Sequence, residues 1–158
     1  MSLAILTDSG PTVTIEEIHN VEKRLGIIFP DSVRKFFLEN NGGTPVPDTF
    51  PETDEYEPIT ISVFLTLNGS PPGEKTLETT YKTGINNGYL PTDLIPFAID
   101  WGGNYLCFNA TGQIYFLPMD CWHKDLTLED NITKKRKLIC DTFDRFINSL
   151  VIEEEAYE

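Results

Sequence analysis

Cys121 and His123 are the first residues of this chain whose types and spacing suggest chemistry. Two positions apart, they share one face of an extended strand. There a thiol and an imidazole could serve as nucleophile and base, or as two metal ligands. Nothing else in the chain completes either site. The only other histidine is His19, and the other cysteines are Cys107 and Cys140. There is no CxxC pair and no second ligand pair at zinc-site spacing. No orienting group or oxyanion hole can be assigned. The cysteines read as buried free thiols, which pack as small apolar side chains. We therefore expect no catalytic residue, no metal and no cofactor.

The stretch "LIPFAIDWGGNYLCFN", residues 94–109, raises a second possibility. A phosphate loop needs GxxxxGK[ST], or GxGxxG opening a helix. Here Gly102 and Gly103 lead into another apolar run. The expectation is a tight turn between two strands, with Asp100 and Asn104 placed to bond local N–H groups. Trp101, if exposed at that turn, is a candidate partner contact. A small-molecule or peptide pocket beside the turn stays open as an alternative.

Charge supplies the strongest global signal. Twenty-five acidic residues face twelve basic ones, a net charge of −13. Four of the basic residues are gathered in "KKRK", Lys134 to Lys137, too short and too surrounded by acid to grip nucleic acid. Such a surface repels nucleic acid and anionic membranes and attracts basic partners at long range. The same charge can also serve solubility alone. Residues 44–58, "TPVPDTFPETDEYEP", combine four prolines with five acidic groups. Asp48, Phe50, Glu52, Asp54, Glu55, Tyr56 and Glu57 are the candidate partner-binding residues there, together with Trp101. Aromatic anchors inside a charged rim are what protein interfaces use. The plainer alternative is a solvated loop.

These residues must be positioned by ordinary elements. Thr14 and Glu17 carry a capping-box signature. Ile15, Ile18, Val21 and Leu25 follow on one helical face, with Gly26 placed to end the helix. Pro30 and Asp31 suit the start of a second helix. Its stripe is Val33, Phe36, Phe37 and Leu38, and Asn40 to Gly43 stop it. Ile59, Ile61, Val63, Leu65 and Leu67 alternate with Thr60, Ser62, Phe64 and Thr66, as in a half-buried strand. Leu77, Tyr81 and Ile85 mark a weaker helix. Three strands are expected at Leu94–Ile99, Tyr105–Phe108 and Ile114–Leu117, forming an antiparallel meander, with a further short strand at Trp122. Phe143, Phe146, Ile147 and Leu150 make the face of a last helix, capped by Asp141 or Thr142.

Helices, then a mostly antiparallel sheet, then a closing helix indicate an α+β fold. An N-terminal helix pair and a C-terminal helix should pack on a twisted sheet. At 158 residues the expectation is one domain, with loose termini at 1–12 and 152–158. No apolar run approaches the roughly 20 residues of a membrane helix, and no signal peptide is evident. A cytoplasmic protein is expected.

Three segments together resemble the SUKH superfamily, shared by yeast Smi/Knr-type cell-wall regulators and many bacterial immunity proteins. They are "IEEIHNVEKRLGIIFPDSVRKFFLENNGG" (residues 15–43), "LIPFAIDWGGNYLCFN" and "TFDRFINSL" (residues 142–150). The closing helix of the family usually begins Ser-Phe, where this chain has Thr142-Phe143. The acidic stretch 48–57 has no counterpart in the family pattern, so any partner role for it comes from this sequence alone. The resemblance implies a binding module rather than an enzyme. Bacterial members are typically encoded beside polymorphic or contact-dependent toxins, often nucleases, and neutralise them by direct binding. The partner this implies is a protein, a basic toxin domain, met by a monomer or weak dimer. The alternative it carries is a non-catalytic regulatory or scaffold module of the Smi/Knr type.

Overall fold

A computed structural model describes residues 5–7, 9–51, 58–68, 76–119, 127, 129–131 and 136–156. The expected strand at Trp122 lies outside these residues.

The first helix, α1 (Ile15–Leu25), forms where its capping residues place it. The Thr14 hydroxyl accepts the Glu17 N–H at 3.2 Å, satisfying one of the helix's orphan donors. Gly26 closes the helix at φ 70°, a conformation that costs glycine little. Ile18 and Val21 are buried. So is Glu22, against expectation for a carboxylate, and it is fully engaged. It accepts the Phe29 N–H and the Arg34 guanidinium. This fastens α1, the "IIFP" link and the second helix, α2 (Asp31–Glu39), to one another. Val33, Phe36 and Phe37 are buried as expected. Leu38, the fourth residue expected in that stripe, turns away and is exposed.

"NNGG" does more than stop α2. Asn41 Nδ2 donates to the Pro11 carbonyl at 2.9 Å and to Asn68 Oδ1 at 2.7 Å, while its Oδ1 accepts the Leu67 N–H at 2.8 Å. Gly42 has φ 73°, and a Cβ there would lie 2.5 Å from Thr66 Cγ2 and 3.0 Å from the Phe64 carbonyl. The chain can pass this close only as glycine.

The short strands β1 (Ile5–Thr7) and β2 (Thr44–Val46) pair antiparallel. A larger antiparallel sheet runs β3 (Thr49–Phe50), β4 (Ile59–Phe64), β5 (Ile95–Asp100), β6 (Tyr105–Phe108), β7 (Ile114–Leu117) and β8 (Lys137–Cys140), in that order. Helix α3 (Leu77–Asn86) separates β4 from β5 in sequence; α4 (Phe143–Asn148) and the short α5 (Glu153–Ala156) follow the sheet. The α+β architecture and the β5–β7 meander agree with the sequence expectation.

Three details depart from simple alternation. Register shifts between Ile61 and Val63 in β4. An extra residue there reverses the inward face, so Phe64 is buried and Val63 only half-buried. Phe97 is the extra residue of a second bulge, in β5. Strand β8 lies in the segment that begins with the basic run, and its register also shifts opposite β7.

The two faces of the meander build two cores. Leu106, Phe108, Ile114 and Phe116 point into the main one. There Phe143 of α4 meets Phe36 at 5.2 Å and Phe97 at 5.1 Å, ring centre to ring centre, both edge-on. Edge-on geometry suits the ring quadrupoles. Cys107 and Leu117 point to the opposite face, into a smaller cluster with Leu90 and Leu94, flanked by Tyr89, Tyr105 and Tyr115. Cys107 and Cys140 are buried free thiols, and burial pushes the Cys107 thiol up.

The sheet also curls. Phe50 and Pro51, at one edge, and Leu138, Ile139 and Cys140, at the other, line the same cleft of about 690 Å³, with Arg145 and Ser149 of the α4 region between them. Thr49 and Val151 exchange backbone hydrogen bonds of 3.0 and 2.9 Å, which covers the outer side of β3.

Candidate partner-binding surface

The "DWGGN" turn joins β5 to β6 and is built around one carboxylate. Asp100 Oδ1 accepts the Gly102 N–H at 2.9 Å and the Asn104 N–H at 2.8 Å. Its Oδ2 accepts from Asn104 Nδ2 at 3.1 Å. The Asp100 carbonyl accepts the Gly103 N–H at 3.2 Å, with Gly103 at φ 82°. Asn104 Oδ1 accepts the Met119 N–H at 2.9 Å, which ties the turn to the end of β7. The tight turn expected from the sequence is present, and Asp100 bonds its local N–H groups as expected, whereas Asn104 takes the distant Met119 N–H instead of a local one.

Trp101 sits at the tip of this frame. Its backbone N–H donates to the Thr60 carbonyl of β4 at 3.2 Å. The residue is 71% exposed, the one exposed Phe, Tyr or Trp among the described residues. Beside it lies an open groove of about 560 Å³. Pro58, Ile59, Thr60, Gly102 and Phe116 line it, together with the acidic residues Asp100 and Glu153. Pro58 is the residue that ends the acidic stretch in sequence.

The other candidates are placed as follows. Asp48 is half-buried ahead of β3; its Oδ1 accepts the Thr49 hydroxyl at 2.9 Å and its carbonyl accepts the Ile61 N–H at 2.8 Å. Phe50 corrects the expectation of an exposed anchor. It is 5% exposed, pairs across to Ile59 and stacks on Phe146 with ring centres 5.2 Å apart. Burying such a ring against α4 is worth about 2–3 kcal/mol, which outweighs any pull of its polar neighbours toward water. Glu52, Asp54, Glu55, Tyr56 and Glu57 lie outside the described residues, as does the Cys121–His123 pair. Among the described residues, no group of three or more His, Cys, Asp or Glu side chains could hold a metal, and no helix is long and apolar enough to cross a membrane.

Glu153 was not a sequence candidate. It sits in the acidic run "EEEAYE", expected to be a solvated tail. Its first three glutamates stay exposed, as expected, but they open α5, which packs near β3. Acidic residues in a first turn are a helix-start signal, and that was the available clue. Its meeting with Trp101, more than fifty residues away in sequence, has no local signature.

The helix pair, curled antiparallel sheet and closing helix define an α+β protein of the Smi/Knr type, with an exposed indole and carboxylates gathered at one groove. The chain belongs to the SMI1 / KNR4 family (SUKH-1), whose model matches residues 12–149. Among solved structures, it is similar to one described as the crystal structure of a protein from Pseudomonas syringae pv. tomato. Identity is 20%, over 81% of this chain and 92% of that one, with a TM-score of 0.46. Among curated proteins, none matches.

Proposed function

We propose that this chain is a bacterial immunity protein. It is a non-catalytic binder that acts in the cytoplasm, as a monomer or weak dimer, and blocks a basic toxin domain of the nuclease class. The observation that carries this reading is the groove itself, where the exposed Trp101 meets the carboxylates of Asp100 and Glu153 in a molecule of net charge −13. A nuclease must be basic where it grips phosphate. An acidic inhibitor can occupy that surface and gains fast, steered association. Toxin immunity is also the common role of bacterial SUKH proteins.

This reading expects a nuclease toxin domain encoded beside this gene, and the test is co-expression with it. Cells carrying both should grow, and cells carrying the toxin alone should die. Equal killing with and without this protein overturns the proposal. Recovery from native cytosol of a stoichiometric partner unrelated to any toxin would favour the regulatory alternative.

A further inference from the structure

We propose that the Trp101 groove receives an arginine side chain of the partner, its guanidinium stacked on the indole and its aliphatic stem laid along Pro58. This rests on the protein-binding reading above and deepens it to a single side chain.

Three features on one surface lead to that occupant. The first is a large aromatic held in water. Trp101 is 71% exposed on a turn fixed by three hydrogen bonds to the Asp100 carboxylate. An anchor already held in place loses little freedom on binding. The second is an apolar lining of Pro58, Ile59 and Phe116, in which half-buried Pro58 offers the most surface and Ile59 and Phe116 are 4% and 7% exposed. The third is the pair of carboxylates, Asp100 and Glu153, on the same groove. Asp100 Oδ2 accepts a single hydrogen bond within the turn, which leaves it lone-pair capacity for a further donor.

An anion would be repelled here, and a purely apolar side chain would leave the carboxylates to be desolvated without a partner. A side chain with an apolar stem and a cationic head satisfies both halves of the site. Arginine fits better than lysine. Its planar head stacks on an aromatic face, is more weakly hydrated, and forks onto a carboxylate. A groove of about 560 Å³ also leaves room for the backbone that carries the side chain.

The test titrates the isotopically labelled full chain with hexa-arginine and with hexa-lysine at physiological ionic strength, read by amide and indole N–H resonances. The Trp101 indole signal is assigned by its loss in Trp101→Phe. Hexa-arginine should shift the Trp101 indole and the Gly102 amide saturably, and bind at least about threefold tighter than hexa-lysine. Trp101→Ala should weaken hexa-arginine about five- to tenfold, and Glu153→Gln about twofold. Equal binding by Trp101→Ala, equal binding of the two peptides, or shifts spread evenly over the acidic surface would each overturn the proposal. The two readings fail separately. Cell protection without arginine preference removes the arginine site and keeps immunity. A groove that prefers arginine in a protein that does not protect removes immunity and keeps the site.

Discussion

The carboxylate of Glu22 and the guanidinium of Arg34 form a two-pronged contact, Nη2 to Oε2 at 2.9 Å and Nη2 to Oε1 at 3.2 Å, that joins the first two helices. The Glu22 side chain is 7% exposed and the Arg34 side chain 27%. Removing one partner of such a pair costs more than the pair contributes, because the other charge stays behind without compensation. Arg34→Ala should therefore lose about 2–4 kcal/mol in urea unfolding. The same substitution in a Glu22→Gln background should cost distinctly less, since no buried charge remains to be stranded. Equal costs in both backgrounds would show that Arg34 acts through packing alone.

Asn41 and Gly42 make a second prediction, about why the chain turns where it does. Asn41→Ala leaves the Leu67 N–H without its acceptor in a site 3% exposed. The expected loss is about 1–3 kcal/mol. Gly42→Ala meets a left-handed φ and a contact of 2.5 Å at once. It should lose at least as much. Gly103→Ala, whose added Cβ would meet nothing within 4 Å, should lose only about 1 kcal/mol from its φ. Denaturant midpoints of the three variants give the order directly.

Elements governed by near neighbours were legible before the structure. Thr14, Gly26 and Thr142 mark helix ends because a cap involves residues three or four apart. The meander was legible because "DWGGN" and "NATGQ" carry their own turn chemistry. Features set by distant partners were not. Nothing near Phe50 shows that Phe146 will cover it. The bulge that turns Phe64 inward is created by pairing with β5, so strict alternation assigned the wrong face. β8 begins on the last residue of a charge cluster, Lys137, and its four residues show no periodicity strong enough to announce a strand. At the candidate site, Trp101 was legible as a turn residue. Its neighbour Glu153 was not, since the curl of the sheet and the placement of α5 bring them together.

Tyr105 should give the protein an alkaline transition. Burial, with Tyr89 beside it, pushes its phenol up to about 12. An unfolded tyrosine ionises near pH 10. Between those values the folded state holds a proton that the unfolded state has lost, so stability falls as pH rises. Tyr105's contribution is fully present below about pH 10 and is lost as pH rises through about 12. Urea midpoints measured across this window should fall less steeply for Tyr105→Phe than for the parent. An unchanged slope would place the titration elsewhere.

Trp101 and Asp100 should separate binding from stability, though they are adjacent. Trp101 contributes exposed surface and little packing, so Trp101→Ala should leave the unfolding free energy within about 0.5 kcal/mol of the parent. Asp100→Ala removes the acceptor of three hydrogen bonds in the turn and should lose about 1–2 kcal/mol. Against the toxin domain proposed as its partner, the order should reverse in kind. Trp101→Ala should weaken binding by about 2 kcal/mol or more, chiefly through faster dissociation, as expected for a central aromatic anchor. Association of the parent should slow as salt is raised, because a net charge of −13 steers a basic partner only while it is unscreened. Surface plasmon resonance across an ionic-strength series reads both rates in one experiment. A Trp101→Ala variant that unfolds and dissociates like the parent would move the interface away from this groove. An association rate indifferent to salt would remove charge steering from the account while leaving the indole contact to stand.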